Sequence, residues 1–426
     1  MKIGLINPLS LYVPSPSERE FVYLNGINYI SASLKEDHDI TIADFEHNSK
    51  ASLETLADCD VIGLTSNITC YKFFKENLPR IKIQNPSSPI VVGGALVSSY
   101  GLENNVLMKT FSEIDYAVIG EGEITTLNLL KNLENSSTQI PRGVLYRNTQ
   151  GKLINTGKGE KVKNLDNLPD RDYDSWGDFK REIEDRILMV NLARGCPNSC
   201  SFCYNMSPGV RSFSPDKMQR EIQRAWNLKP SQIEFMDETL TYDKERTLQL
   251  TRIARELGIN YSAETRVDCV DENILRELKN SGCQTIRFGI ESFDEGILNR
   301  ANKRITLKQT YTAIEKANKV GLNVFGFFVL GLPGENKKSL EKTIRGIKET
   351  GVIPRVRILM PFPGTRIYQQ ALRENKFDEV ELLKQFSQHR DTIDGDWVYM
   401  NISDVSDREL IEARNRINEI GNQKGK

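Results

Sequence analysis

Cys196, Cys200 and Cys203, within Arg194-Gly195-Cys196-Pro197-Asn198-Ser199-Cys200-Ser201-Phe202-Cys203-Tyr204, place three thiols on one short loop at C-x3-C-x2-C spacing. Thiolates are the soft metal ligands among side chains. A 4Fe-4S cubane ordinarily takes four of them, so a triplet leaves one iron open to another ligand. A structural zinc site wants a fourth Cys or His at short spacing. The histidines, His38, His47 and His389, are all distant, and Cys269 and Cys283 stand outside any paired knuckle. A disulfide framework conflicts with an odd number of cysteines, seven, in 426 residues, and with an opening run, Met1 to Ile6, that reads as a strand rather than a signal peptide.

The elements that must position this loop read as two successive rounds of strand and helix. In the first, Lys2-Ile6, Asp39-Phe45, Asp60-Thr65, Pro89-Val92 and Tyr116-Gly120 are short apolar runs. Segments of helical period follow them, such as Val22 to Glu36 and Thr125 to Leu133, as in a doubly wound parallel sheet. Ligands bind beyond the carboxyl ends of such strands, and three of those ends are small or polar: Thr65-Ser66-Asn67, Gly93-Gly94-Ala95 and Gly120-Glu121-Gly122-Glu123.

The second round has six strands, Ile187-Leu192, Gln232-Met236, Tyr261-Thr265, Thr285-Ile290, Val324-Leu330 and Val356-Met360. Ser214-Pro215 reads as a helix start, and Gly258, Gly282, Gly321 and Gly351 as stops. Six units predict a partial barrel, whose functional residues come from strand ends. Polar groups collect there: Asp237-Glu238, Glu264-Thr265-Arg266, Glu291-Ser292 and Gly331 to Glu335. Each charge alone reads as a solvated strand end; at four successive ends they point to one shared ligand. Beyond residue 370, Leu372 to Leu383 and Asp407 to Ile420 read as helices around an extended Trp397-Val398-Tyr399-Met400, and His389 reads as solvent-facing.

With these residues placed, the chain resembles the cobalamin-binding branch of the radical S-adenosylmethionine (SAM) enzymes over residues 1 to about 370. The resemblance rests on the cysteine triplet with Phe202 before its last member and on the G-E-G-E run at Gly120 to Glu123. It extends to the connector Gly143 to Leu153 with Asn164 to Pro169, to F-x-x-G-L-P-G-E at Phe328 to Glu335, and to P-x-P-G-T-x-x-Y at Pro361 to Tyr368. Two features depart from wider cobalamin patterns. A D-x-H-x-x-G motif is absent, and Gly93-Gly94-Ala95-Leu96 stands where G-G-P-H is frequent.

The resemblance implies an α/β chain with a Rossmann-like cobalamin-binding domain over 1–140 and a connector with a short β-ribbon over 141–186. A partial (β/α)6 TIM-type radical SAM barrel would span 187–370, and a small C-terminal helical cap 371–426. It implies that Cys196, Cys200 and Cys203 ligate a 4Fe-4S cluster whose open iron takes the amino and carboxylate groups of SAM. SAM contacts would come from Phe202, Asp237, Glu238 (amino group), Arg266 and Ser292 (carboxylate) and Glu291 (carboxylate or ribose). Cobalamin, without an axial histidine, would rest on Thr65, Ser66, Gly93, Gly94, Ala95, Glu121, Gly122 and Glu123.

The implied activity is methylation of an unactivated carbon of a small molecule, through a 5′-deoxyadenosyl radical and methylcobalamin, with electrons from a flavodoxin- or ferredoxin-like donor. Radical cyclisation or rearrangement, and a non-catalytic metal- and cobalamin-binding protein, are the other readings. A formal charge of −1, from 57 basic and 58 acidic residues, gives no electrostatic reason to invoke nucleic acid. No apolar run approaches the roughly 20 residues of a membrane span. Cysteine usage fits a reducing cytoplasm.

Overall fold

The computed structural model describes residues 1–8, 21–23, 25–48, 50–101, 105–176, 183–205, 207–388 and 397–424. His389 lies outside the described residues. Two compact units are present, residues 1–184 with 378–390, and residues 185–377 with 391–426.

In the first unit, apolar runs too short to be core helices form β1 (Lys2–Asn7), β2 (Asp39–Asp44), β3 (Val61–Ser66), β4 (Ile90–Gly94) and β5 (Tyr116–Val118). Their order is β2-β1-β3-β4-β5, all parallel. The order reverses between β1 and β3, so the carboxyl edge there is the place for a ligand. The helices α1 (Asn25–Leu34), α2 (Tyr71–Gln84) and α5 (Gly122–Glu134) connect the strands, with short α3 (Ala95–Tyr100) and α4 (Val106–Thr110) between β4 and β5. Phe74, Leu78 and Ile81 of α2 pack with Ile62, Ile90 and Val92 in one core. Burying each such side chain contributes about 1.5–3 kcal/mol. The first helix starts at Asn25 rather than Val22, because Phe21–Tyr23 is extended.

The ribbon expected in the connector is part of this sheet. β6 (Val144–Arg147) pairs antiparallel with β5, and β7 (Leu153–Asn155) with β6. A three-residue β5 leaves an open edge, and β6 covers it. Further along the chain, α13 (Glu379–Gln388) packs on α2 and α4, and its Leu383 joins the same core.

In the second unit, β8 (Ile187–Val190), β11 (Gln232–Phe235), β12 (Tyr261–Thr265), β13 (Cys283–Glu291), β14 (Asn323–Leu330) and β15 (Ile353–Ile358) lie side by side in sequence order, all parallel, as a half barrel. The intervening helices cover one face. They are α6 (Pro215–Trp226), α7 (Lys244–Leu257), α8 (Glu272–Asn280), α9 (Glu295–Arg300), α10 (Leu307–Lys319) and α11 (Lys337–Thr350). Ser214 caps α6 by accepting from Lys217 N, and Gly258 and Gly351 end their helices in the left-handed region.

Strand alternation sends Ile286, Phe288 and Ile290 into the buried core, while Arg287 turns to the other face. Closed barrels fill that inner face with Val, Ile and Leu. Here Glu234, Ser262, Glu264, Arg287 and Arg355 interact along it.

The C-terminal reading needs two corrections. The helix expected over Leu372 to Leu383 is two, α12 (Arg366–Arg373) and α13, separated where Asn375 takes φ +51° and Asp378 accepts from Glu381 N. Trp397 to Met400 is irregular rather than a strand. Met400 packs among Ile297, Leu332 and Leu359, so its apolar character fills a gap in the core. The final helix, α14 (Asp407–Lys424), packs on β15 and α11.

Candidate functional site

The cysteine loop is closed at its neck by a two-residue ribbon, β9 (Ala193–Arg194) against β10 (Arg211–Ser212), and by a bridge between Cys196 and Pro208. Gly195 sits at φ +92°, where a side-chain carbon would stand 2.1 Å from Ser207 O and 2.2 Å from Gly209 O. Only glycine fits. Inside the loop, Asn205 Nδ2 donates to Cys196 O (2.7 Å) and Asn198 O (3.1 Å). Three ties hold the loop to the barrel: Ser201 N to Ala301 O, Ile367 N to Ser201 O, and Asn302 Nδ2 to Ser199 O and Oγ. Phe202 packs against the small core around Ile297, Leu332 and Ile367.

All seven cysteines are unpaired. Cys59, Cys70 and Cys283 are buried elsewhere, whereas each thiol of the triplet lies within electrostatic reach of the others. Loss of solvation raises the Cys200 thiol and, with its two neighbours, pushes Cys203 up to about 11, although the Cys203 side chain remains open to solvent. Such thiols keep their protons until a cation displaces them. Among the described residues no three His, Cys, Asp or Glu converge on a single metal ion. Three free thiols on a braced, glycine-necked loop, with no histidine or fourth paired cysteine at short spacing, fit a multi-iron cluster better than one structural zinc.

Around the loop, the strand ends divide into those already engaged and those open. Asp237 is engaged: Oδ1 accepts from Leu192 N (2.6 Å) and Ala193 N (3.1 Å), and Oδ2 meets Arg246 at 2.6 Å. Ser292 is fully buried against α11, paired with Thr343 Oγ1 at 3.1 Å and accepting from Asp294 N. Its hydroxyl is thus engaged within the β13–α11 packing, directly after Glu291. Glu238 is exposed at its strand end and interacts with the Gly195 backbone N–H; removal of water raises its carboxyl. Arg266 is buried in a two-pronged pair with Asp268, 2.9 Å on each side, and donates to Lys303 O. Glu291, at φ +69°, meets Lys303 Nζ at 2.7 Å.

Sequence reasoning missed Asn302 and Lys303. They follow α9 as an undistinguished polar run, and only the fold brings them under Ser199 and Glu291. A hollow bordered by Phe293, Leu307, Tyr311 and Arg345 lies among the outer helices, where Lys342 pairs with Asp294 and Tyr311 with Glu349. It is not the chemical site.

In the first unit, Ser66 Oγ donates to Gly93 O (2.6 Å) and accepts from Val97 N, tying the ends of β3 and β4 together. Gly94, at φ +97°, has no room for a side chain beside Ser66. Glu121 accepts from Val162 N, Gly122 packs against Ile30, and Glu123 is buried. These residues build the edge. Thr65 and Ala95 flank it, and the space at Gly93 and Gly120 is open, with no atom of the described residues within 4 Å of an added carbon. An open backbone edge at a doubly wound sheet suits a large ligand. His38 lies at the amino end of β2, and His47 is held by Asp44 at 3.0 Å.

Comparison with known proteins matches the B12 binding domain over residues 21–130 and the Radical SAM superfamily over 190–347. An uncharacterized methyltransferase of Pyrococcus horikoshii is 29% identical over 82% of this chain and 78% of its own. A hopanoid C-3 methylase of Methylococcus capsulatus is 25% identical, over 85% and 72%. An anaerobic magnesium-protoporphyrin IX monomethyl ester cyclase of Rubrivivax gelatinosus is 26% identical, over 73% and 58%. Among solved structures, the radical SAM methyltransferase TsrM of Kitasatospora setae, with cobalamin and a 4Fe-4S cluster bound, superposes with TM-score 0.71 at 14% identity, covering 88% of this chain and 75% of that one. The cobalamin-dependent radical enzyme OxsB superposes at 0.70 and 20% identity, with 90% and 56% covered. At these identities the structural likeness speaks for the fold.

Proposed function

We infer that this chain, which belongs to the radical SAM superfamily and carries a B12-binding domain ahead of its half barrel, methylates an unactivated carbon of a small-molecule substrate. The observation that carries the reading is the triplet of unpaired thiols on a braced loop beside the open strand-end carboxylate of Glu238. When bound, the cluster supplies the electron that splits SAM into methionine and a hydrogen-abstracting 5′-deoxyadenosyl radical, and cobalamin supplies a methyl group that a second SAM replaces.

The remaining roles fall to the chain. Cys196, Cys200 and Cys203 give up protons to hold iron. Gly195 and Asn205 keep the loop in one shape, so the thiols are preorganised. Glu238 accepts hydrogen bonds from an ammonium group, and the Arg266 cation and the Glu291 carboxylate flank the same ligand. Asp237 is the anchor on which the loop's first strand end is hung. In the first unit the open backbone at Gly93 and Gly120 receives cobalamin. No histidine below the cobalt is expected, since the D-x-H-x-x-G motif is absent and His38 stands at the opposite edge. An electron donor of the flavodoxin or ferredoxin class and a reducing cytoplasm suit such thiols; among the described residues no helix is long and apolar enough to cross a membrane.

The names of the Pyrococcus and Methylococcus relatives favour methyl transfer, and that of the Rubrivivax relative keeps radical ring closure as the second reading. The test is anaerobic reconstitution with iron, sulfide and cobalamin, followed by SAM and a strong reductant. Methyl transfer predicts both 5′-deoxyadenosine and S-adenosylhomocysteine, lost in Cys200→Ala. Deoxyadenosine alone would favour the second reading. Neither product from an intact cluster would overturn both.

A further inference from the structure

We propose that Lys303 is a positioning residue, resting on the function inferred above, that fixes Glu291 for SAM and cancels that carboxylate's charge beside the cluster. Lys303 and Glu291 are both about 6% exposed, and their charged atoms meet at 2.7 Å. A buried ion pair adds little net stability over an apolar one, so stability alone does not account for it.

Its surroundings are shaped to admit it. A side-chain carbon at Gly289 would stand 2.8 Å from Lys303 Nζ and 3.0 Å from Glu291 Oε1, so the glycine opens the route by which the lysine reaches the carboxylate. Glu291 follows the point where the β13–β14 register slips, and it holds φ +69°. Such a conformation is strained in a non-glycine residue and persists where contacts over-determine it. Lys303 supplies that contact through Oε1. Among the described residues Oε2 makes no hydrogen bond, which leaves it for a ligand ammonium or ribose.

The lysine is itself held on three sides. Asn302 (φ +53°) bonds Ser199 of the cysteine loop at 2.8 and 3.0 Å; Arg304 (φ +57°) follows; and Lys303 O accepts from Arg266 at 3.0 Å. Asn302 and Lys303 together thus link the cysteine loop, the β12 end and the β13 end. The lysine's charge reaches Cys200 and Cys203, where that of Glu291 opposes it. Cluster potentials follow local charge and burial, so loss of the lysine alone leaves a negative charge without its counterion and makes reduction harder.

The test compares Lys303→Met, Lys303→Arg and the double variant Glu291→Gln/Lys303→Met after anaerobic reconstitution. Iron content, equilibrium SAM binding and the cluster midpoint potential are measured; none of these needs methyl transfer or a substrate. K303M should bind SAM at least tenfold more weakly and reduce at a more negative potential, and K303R should recover most of both. The double variant should recover the potential, since net charge is restored, but not SAM binding. Where K303M fails to load iron, the double variant carries the test. SAM binding within twofold of wild type in a fully loaded K303M, or restored binding in the double variant, would overturn the role. A wild-type protein that loads no cluster would instead refute the inferred function.

Discussion

Arg246 Nη2 lies 2.6 Å from Asp237 Oδ2, with both side chains under a tenth exposed, while Oδ1 of that carboxylate accepts from Leu192 and Ala193. The pair therefore joins α7, the β11 end and the strand exit that leads into the cysteine loop. Breaking a buried pair from one side leaves a charge without a partner, at about 3–5 kcal/mol. Asp237→Ala should destabilise the protein by about that much in urea denaturation and lower its iron uptake. A variant with wild-type stability would show the pair to be dispensable.

Gly195→Ala tests the neck of the loop. The added methyl cannot coexist with Ser207 O and Gly209 O at 2.1 and 2.2 Å, so the backbone must part there. The half barrel does not depend on this contact. Far-ultraviolet circular dichroism should be unchanged, while iron bound after reconstitution falls several-fold. Full iron content in the alanine variant would mean that the neck does not set the thiol geometry.

On the inner wall, Arg287 pairs with Glu234 at 2.9 Å and donates to Ser262 at 2.7 Å, which leaves Glu264 beside a second carboxylate. Burial, and then Glu234, push Glu264 up to about 7 against the pull of Arg287. Burial likewise pushes Glu335 up to about 7. A carboxyl raised on folding keeps its proton between its unfolded value, about 4.5, and its folded one. Stability therefore falls as pH rises through that window and is lowest above 7. Glu264→Gln should flatten part of this slope and gain about 1–3 kcal/mol over wild type at pH 8, with little change at pH 4.5. Equal slopes in urea denaturation from pH 5 to 8 would contradict the shift.

The sequence disclosed what local pattern controls. Apolar runs and glycine stops located the parallel strands within a residue or two, except that β15 begins three residues ahead of Val356, and the cysteine spacing located the loop. What it hid depends on contacts distant in the chain. Nothing in the spelling of Asp237 or Ser292 says that one is consumed by a backbone turn and the other by Thr343 on a following helix. Lys303 gained its place from a bulge in β13 and a missing side chain at Gly289, neither of which leaves a motif. The edge role of β6 was equally silent, because pairing depends on how short β5 is, not on the composition of β6.

Gly93 and Gly94 separate scaffold from ligand at the edge of the first sheet. Gly94 has φ +97°, and a side-chain carbon added there would stand 2.7 Å from Ser66 N and O, so Gly94→Ala should destabilise the unit whether or not a ligand binds. Among the described residues a methyl group at Gly93 meets no protein atom within 4 Å, and the backbone there is ordinary strand. Gly93→Ala should therefore leave the denaturation midpoint of the cofactor-free protein unchanged. On the function proposed above the methyl group would enter the space where cobalamin comes closest to the backbone, so cobalamin retained after gel filtration, read by its visible absorbance, should fall at least tenfold. An alanine variant that keeps both stability and cobalamin would move the ligand away from β4.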